Sequence, residues 1–310
     1  MEVLNLEIGS LIRGKWNKNE YRVLRLLGEG GIGKVYQVME VSTKEVYALK
    51  LSSDMQSIAK EYEMMKKFER LPITVKVKEI DDLEAARKKW TFVIVEYIEG
   101  KNMNQYRKKH HLQVKDVLSL GITIGKAFHI LHQNHFVFGD LKLENLMIDE
   151  KNHVLKIIDL GGVTPMGESI KEFTPLYDRA SWNMGLRRAD EGYDLFSLCM
   201  LMICLLLGTR FPMEDKDVDK MLKKLENVDI STGLIKLFHR GIYQKDICFY
   251  QFVVDLENIY RHNGYKTSKK SKVDMLVNRA LFGSILFFLG ILLSILIKNG
   301  GVWKVFQRVI

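Results

Sequence analysis

Between residues 21 and 97 the apolar positions fall in short runs rich in β-branched and aromatic residues, the pattern of strands. Runs 21–27, 35–38, 46–50 and 92–97 read as strands, and a later pair, 146–148 and 154–158, reads as a hairpin. Residues 58–68 break this pattern. Ile58, Tyr62, Met65 and Phe68 recur at helical spacing, so one helix interrupts the strands. From residue 103 onward helical spacing dominates. The apolar run 195–207 is short for a bilayer and reads as a buried helix. The charged stretch 81–89 reads as a solvated turn between strands. Residues 280–297 carry no charge. As a helix they would extend about 27 Å, close to the thickness of the hydrocarbon layer.

The candidate chemistry lies between these elements. Asp140 and Asn145 stand in Asp140-Leu141-Lys142-Leu143-Glu144-Asn145, and Asp159-Leu160-Gly161 follows the predicted hairpin. Phosphoryl transfer needs one carboxylate to orient the attacking hydroxyl, and an amide and a carboxylate to hold Mg²⁺ against nucleotide phosphates. In isolation a charged β-turn explains the acidic run as well. Upstream, Gly28-Glu29-Gly30-Gly31-Ile32-Gly33-Lys34-Val35 follows the pattern G-x-G-x-x-G-x-V, whose glycines let backbone N–H groups approach phosphate oxygens. In a dinucleotide-binding fold such a loop opens a helix. Here a strand-like run follows, so the loop joins two strands. The next strand ends in Ala48-Leu49-Lys50. Glu61 on the predicted helix is the acidic partner for Lys50, with Glu63, on another face, as the alternative.

In this order, over residues 20–260, the motifs resemble those of a eukaryotic-like Ser/Thr protein kinase. The resemblance implies an α+β bilobal fold, with a β-rich N-lobe and a helical C-lobe. The implied activity is transfer of the γ-phosphate of ATP to Ser/Thr of proteins with Mg²⁺, or Mn²⁺ in its place. By the same resemblance Asp140 positions the hydroxyl, Lys142 and Lys50 offset phosphate charge, and Glu61 holds Lys50. Asn145 and Asp159 ligate the metal, and Gly28, Gly30 and Gly33 cover the phosphates. Val35, Ala48 and Met147 sandwich the adenine. Glu96 and Ile98 form the hinge beside the gatekeeper Val95, with the Ile98 backbone bonding the base. Asp194-Leu195-Phe196-Ser197 is similar to the motif that braces the catalytic loop from below, and Thr174-Pro175-Leu176-Tyr177 to a substrate-docking T-x-x-Y.

Three departures stand out. Phe138-Gly139 replaces the usual His-Arg before the catalytic Asp. That arginine receives an activation-loop phosphate, so activity here is expected not to depend on a phosphate docking at this point. Arg179-Ala180-Ser181 replaces A-P-E, and residues 244–249 hold no arginine. Both partners of the usual ion pair are thus absent together, which costs less than one buried charge left alone. Asp159-Leu160-Gly161 in place of D-F-G keeps the metal ligand.

Composition adds the location. The 310 residues suffice for one bilobal domain. Cys199, Cys204 and Cys248 show no metal-ligand spacing and read as reduced core thiols. Residues 261–310 hold nine Lys/Arg and one acid, Asp274, so +8 of the net +9 belongs to the tail. The expected layout is a lead-in (1–20), a kinase domain (21–260), a basic juxtamembrane linker (261–279), a transmembrane helix (280–297) and a short tail (298–310). Residues 1–20 show no signal peptide. Six Lys/Arg at 261–279 against three after 297 place the kinase part on the cytosolic side of a single-pass cell-membrane protein. Thirteen residues beyond the span leave no room for an extracellular sensor. This layout resembles the short bacterial membrane-tethered kinases without sensor repeats. The linker is either a topogenic flank alone, or binds anionic lipid at about 1 kcal/mol per basic residue, or binds nucleic acid through phosphates. Gly290 and Ser294 form a small-xxx-small pair suited to a homodimer that favours autophosphorylation. Two alternatives stand beside the protein kinase. One is a nucleotide-binding pseudokinase scaffold. The other is a small-molecule or lipid kinase, because Gly139-Asp140 is similar to the H-G-D of aminoglycoside-type kinases.

Overall fold

Period-two burial builds the first lobe. Strands β1 (Leu11–Arg13), β2 (Glu20–Gly30), β3 (Gly33–Glu40) and β4 (Val46–Ser52) precede helix α1 (Met55–Lys67), and β5 (Val77–Ala85) and β6 (Lys88–Glu96) follow it. The six strands form one antiparallel sheet in the order β1-β2-β3-β4-β6-β5. Every second residue of β3 is buried, as expected for a strand with one face on a core. One face of the sheet gathers Ile12, Tyr21, Val23, Tyr36, Leu49, Phe92 and Ile94 into a cluster of its own. The other face, with Ala48, Val93 and Val95, joins Ile58, Met65 and Phe68 of the α1 region in the main core. Asp54 starts α1 by accepting from the N–H groups of Gln56 and Ser57, and Lys66 and Lys67 sit in its last turn, where cations suit the helix dipole. The computed structural model describes residues 4–30, 33–85, 87–208 and 216–262.

The second lobe is helical. A short strand β7 (Gly100–Asn102) leads into α2 (Met103–Lys109) and α3 (Val114–Gln133). Then come β8 (Phe136–Val137), the hairpin β9 (Leu146–Asp149) and β10 (Val154–Ile157), and β11 (Thr164–Pro165). β7 pairs with β9, and β11 pairs with β8. Helices α4 (Glu191–Leu207), α5 (Val218–Leu225), α6 (Thr232–Tyr243) and α7 (Phe249–Arg261) complete it. α4 is buried on nearly every side, as suits a helix that is apolar all round. The run 195–207 is thus core.

Three expectations need correction. Residues 81–89 are not a solvated turn. They belong to the β5–β6 hairpin, and Asp81 and Asp82 are buried. Both carboxylates face donors from the chain start. Asp81 accepts from the N–H groups of Trp16 (2.9 Å) and Asn17 (2.7 Å), and Asp82 from Trp16 Nε1 (2.8 Å). Residues before 20 are therefore more than a lead-in: β1 pairs with β2, and Leu4 and Leu6 pack on the sheet. Cys248 is exposed at the N-cap position of α7, with no side-chain cap bond, while Cys199 and Cys204 are buried. The chain divides into two units, Met1–Tyr265 and Lys266–Ile310. The linker from 263, the predicted span 280–297, its Gly290–Ser294 pair and the tail lie outside the described residues. Among those described, no helix is long and apolar enough to cross a membrane.

Candidate active site

The catalytic loop is suspended from α4. Asp194, fully buried in the first turn, accepts from the N–H of Phe138 (2.8 Å) and of Gly139 (3.1 Å), and its Oδ2 lies 2.9 Å from His132 Nε2. Gly139 has φ +80°, and a Cβ there would come 2.7 Å from the Gly162 carbonyl oxygen. Both facts demand glycine. The loop then presents Asp140, itself buried. Lys142 Nζ bonds to Asp140 Oδ2, Thr174 Oγ1 donates to Oδ1 (3.2 Å), and Asn145 Nδ2 donates to the Asp140 carbonyl (3.1 Å). The N–H of Ile158 donates to the carbonyl of Asn145 (3.0 Å). The chain is thereby led back so that Asp159 arrives beside Asn145.

Lys50 reaches the same place from the sheet. Its Nζ lies 2.6 Å from Glu61 Oε2 and 3.3 Å from Asp159 Oδ2. Glu61, not Glu63, faces the lysine: Glu61 is fully buried, and Glu63 is exposed. Burial, with the charge of Asp159, pushes the Glu61 carboxyl up to about 8, against the pull of Lys50. Burial also works against charge on Lys50 and Asp159, yet each offsets it for the other. The lysine is held above its ordinary value by Asp159 and Glu61, and Asp159 below its own by Lys50 and the Gly161 N–H. The centre is thus one ammonium shared by two carboxylates, with Asp159 the firmer anion and Glu61 the costlier one.

The three loop glycines differ. β2 and β3 pair Gly28 with Val35 and Gly30 with Gly33. A Cβ on Gly33 would fall 2.0 Å from the Leu51 carbonyl oxygen, so packing alone requires glycine there. A Cβ on Gly28 or Gly30 would meet nothing within 4 Å. Packing leaves those two positions free, and close approach of a ligand to the backbone is what glycine permits there. Below the loop, Ala48 and Val95 are buried partners in the β4–β6 register, Ile98 is buried, and Val35 and Met147 are half-buried on the main core. Glu96 ends β6 with its carboxylate 2.7 Å from Lys156 Nζ, and its N–H donates to the Lys76 carbonyl (2.8 Å).

The donor set fits a hard divalent cation bound with nucleotide phosphates. Asn145, with its Nδ2 turned to the Asp140 carbonyl, keeps an amide oxygen to offer, Asp159 brings a carboxylate next to Lys50, and among the described residues no group of three or more His, Cys, Asp or Glu could hold a metal unaided. Mg²⁺ is usually held in this way, by one or two protein oxygens together with phosphates. A separate groove of about 800 Å³, lined by Leu71, Met103, Leu120, Ile130 and Leu155 among others, contains none of these residues.

The segment after Asp159 is braced in a way the sequence did not suggest. Arg179, where A-P-E is degenerate, is buried and holds Asp190 with two bonds of 2.8 and 2.5 Å. The missing long-range ion pair is replaced by a short-range one. Asp178, fully buried, accepts from Ser181, Arg187 and the Tyr193 hydroxyl. Tyr177 is tied to α4 through Ser197 Oγ, which donates to its carbonyl (2.8 Å). His132, Asp178 and Asp190 were not singled out from sequence, and Arg179 was noted only as part of the degenerate A-P-E. The only local signal was Asp190 as a cap before an apolar run.

Comparison with known proteins agrees with this geometry. Residues 21–248 match the protein kinase domain family. The serine/threonine-protein kinase YabT of Bacillus subtilis is 30% identical, over 86% of this chain and 78% of that protein. A probable serine/threonine-protein kinase of Clostridium perfringens is 24% identical over 84% of this chain, and human MAP kinase-activated protein kinase 2 is 27% identical over 61%. The chain spans 41% and 50% of those two proteins' lengths. The chain belongs to the protein kinase family, on its eukaryotic-like serine/threonine branch.

Proposed function

We infer that the chain transfers phosphate from ATP to Ser/Thr hydroxyls of proteins, its own included, at the cytosolic face of a membrane. One observation carries the reaction. Asp140 is buried with Lys142 on one carboxylate oxygen, while the other accepts a hydroxyl from Thr174. A carboxylate so held can accept from an incoming Ser/Thr hydroxyl. Bound MgATP, or MnATP, would supply the phosphoryl group and offset its charge, held by Asn145, Asp159, Lys50 and the loop at Gly28 and Gly30. Glu61 keeps Lys50 in place, and Lys142 stands beside the hydroxyl where negative charge develops.

The pseudokinase reading rested on the lost His-Arg and A-P-E residues. Gly139 is accommodated by its own backbone geometry, and Arg179–Asp190 rebuilds the brace, so neither departure removes a phosphate or metal group. Tyr177 anchored on α4 favours a protein substrate over a small one. Membrane location rests on the uncharged run 280–297 and its basic flank, and lipid, nucleic acid or a second copy are the candidate partners of that region. Phosphoproteomes of wild-type and Lys50→Ala cells test the reading. Protein Ser/Thr sites that vanish in the variant are expected. Phosphate lost from a lipid or sugar pool, with protein sites unchanged, would reverse it.

A further inference from the structure

Gly139 stands where the resemblance places an arginine that holds an activation-loop phosphate. No side chain fits there. At φ +80° a Cβ would lie 2.7 Å from the Gly162 oxygen and 3.1 Å from Ile170 Cδ1. The space an arginine stem would need is filled by backbone and by Ile170. Ile170 is 4% exposed and forms a small core with Val137, Ala189 and Tyr193, with Met166 packed on it. Around it the segment is tied by main-chain bonds. β11 pairs with β8, Met166 N–H donates to His135 (2.9 Å), and Gly167 N–H to Ala189 (2.8 Å). Ala189 N–H donates to Glu168 (2.8 Å), and Ile170 N–H to Arg187 (3.0 Å). A little further on, Arg187 lies 4.0 Å over the Phe173 ring, and Thr174 meets Asp140.

We propose that Ile170 is the positioning residue that orders the activation segment, an apolar key seated beneath the catalytic loop in place of an arginine-held phosphate. The two devices differ in kind. A phosphate–arginine contact exists only after modification and weakens with salt. A buried aliphatic side chain acts by area and close packing, whatever the phosphorylation state. The segment carrying Thr174 is therefore in place before any phosphate is added, and control of activity falls to substrate supply or location. The proposal rests on Asp140 being the catalytic carboxylate.

The test uses the full chain in detergent, with and without phosphatase treatment and later removal of the phosphatase. Hydrogen exchange of residues 164–178 and of Ala189 needs no turnover. The expected result is equal protection in both samples. With Ile170→Ala, exchange in this segment speeds at least tenfold and kcat/KM for a Ser/Thr peptide falls at least tenfold. KM for ATP stays within twofold, and Ile170→Val recovers activity to within threefold of wild type. Protection that disappears on phosphatase treatment overturns the proposal. So does an Ile170→Ala protein whose peptide kcat/KM stays within twofold of wild type. If Ile170→Ala does not fold by circular dichroism, wild-type exchange and Ile170→Val still decide. A wild type that exchanges as expected but transfers no phosphate overturns the kinase reading and leaves the packing result standing.

Discussion

At the residue scale, one residue type meets different demands. Gly33 and Gly139 are glycine because main-chain oxygens at 2.0 and 2.7 Å leave no room for a Cβ, whereas Gly28 and Gly30 face open space. Gly33→Ala should therefore lower the melting temperature of the free protein. Gly28→Ala should leave it unchanged within error and raise KM for ATP several-fold. Equal effects of both on unliganded stability would contradict this division. The Lys50–Glu61 pair makes a second prediction, with a sign. The Glu61 carboxyl is pushed up to about 8 by burial, from an unfolded value near 4.5. A group whose folded value is raised contributes stability fully present below the unfolded value and lost as pH rises through the folded one. Lys50→Met removes the partner that lowers the Glu61 value, so the carboxylate is left buried alone at high pH, a loss of roughly 3–5 kcal/mol. The variant should lose more stability relative to wild type at pH 9 than at pH 6, measured by urea unfolding. An equal loss at both would show that Glu61 does not titrate in the fold.

At the element scale, the β5–β6 hairpin and α4 hold the two ends of the site. Asp81→Ala leaves the Trp16 and Asn17 N–H groups without their carboxylate, at about 1–3 kcal/mol for each that stays buried. Unfolding should shift to lower urea, while KM for ATP is unchanged. A variant as stable as wild type would mean that the N-terminal segment is not clamped. Asp194→Ala removes the acceptor for Phe138 and Gly139 at once. A loss of at least tenfold in kcat is expected, larger than any change in KM for ATP, in a steady-state assay on a Ser/Thr peptide. These elements also show how far the sequence could be read. β2–β4, α1 and the β9–β10 hairpin were legible because their periodicity is local. So were the groups of the catalytic loop, whose spacing is fixed by one short turn. The hairpin at 81–89 was misread because its charges are satisfied by Trp16 and Asn17, more than sixty positions earlier. His132 escaped notice for the same reason, since it matters through the distant Asp194, while Arg179 was read only as part of a degenerate motif because no local pattern pairs it with Asp190. Cys248 read as core because it stands between the apolar Ile247 and Phe249, but at the N-cap position of α7 it is exposed while Phe249 is buried.

At the scale of the whole molecule, the charge is as uneven as the chemistry. The site lies in a part of nearly neutral balance, and the basic excess lies in the last fifty positions beside an uncharged run. If 280–297 spans a membrane, the full chain should stay in the membrane fraction after alkaline carbonate extraction, and a chain ending at residue 279 should not. Release of the full chain by carbonate would contradict the anchor while leaving the kinase site untouched. The site itself makes a sharper demand, because Lys50 from β4, Asp140 and Asn145 from the catalytic loop, and Asp159 from the segment after β10 are brought together from three parts of the chain. The most direct measurement is γ-phosphate transfer from labelled ATP to a Ser/Thr protein substrate in Mg²⁺, wild type against Asp140→Asn. Label on phosphoserine and phosphothreonine from the wild type, and a loss of at least a hundredfold in the variant, is the predicted result. No transfer by either protein, or equal transfer by both, would contradict the assignment of this site.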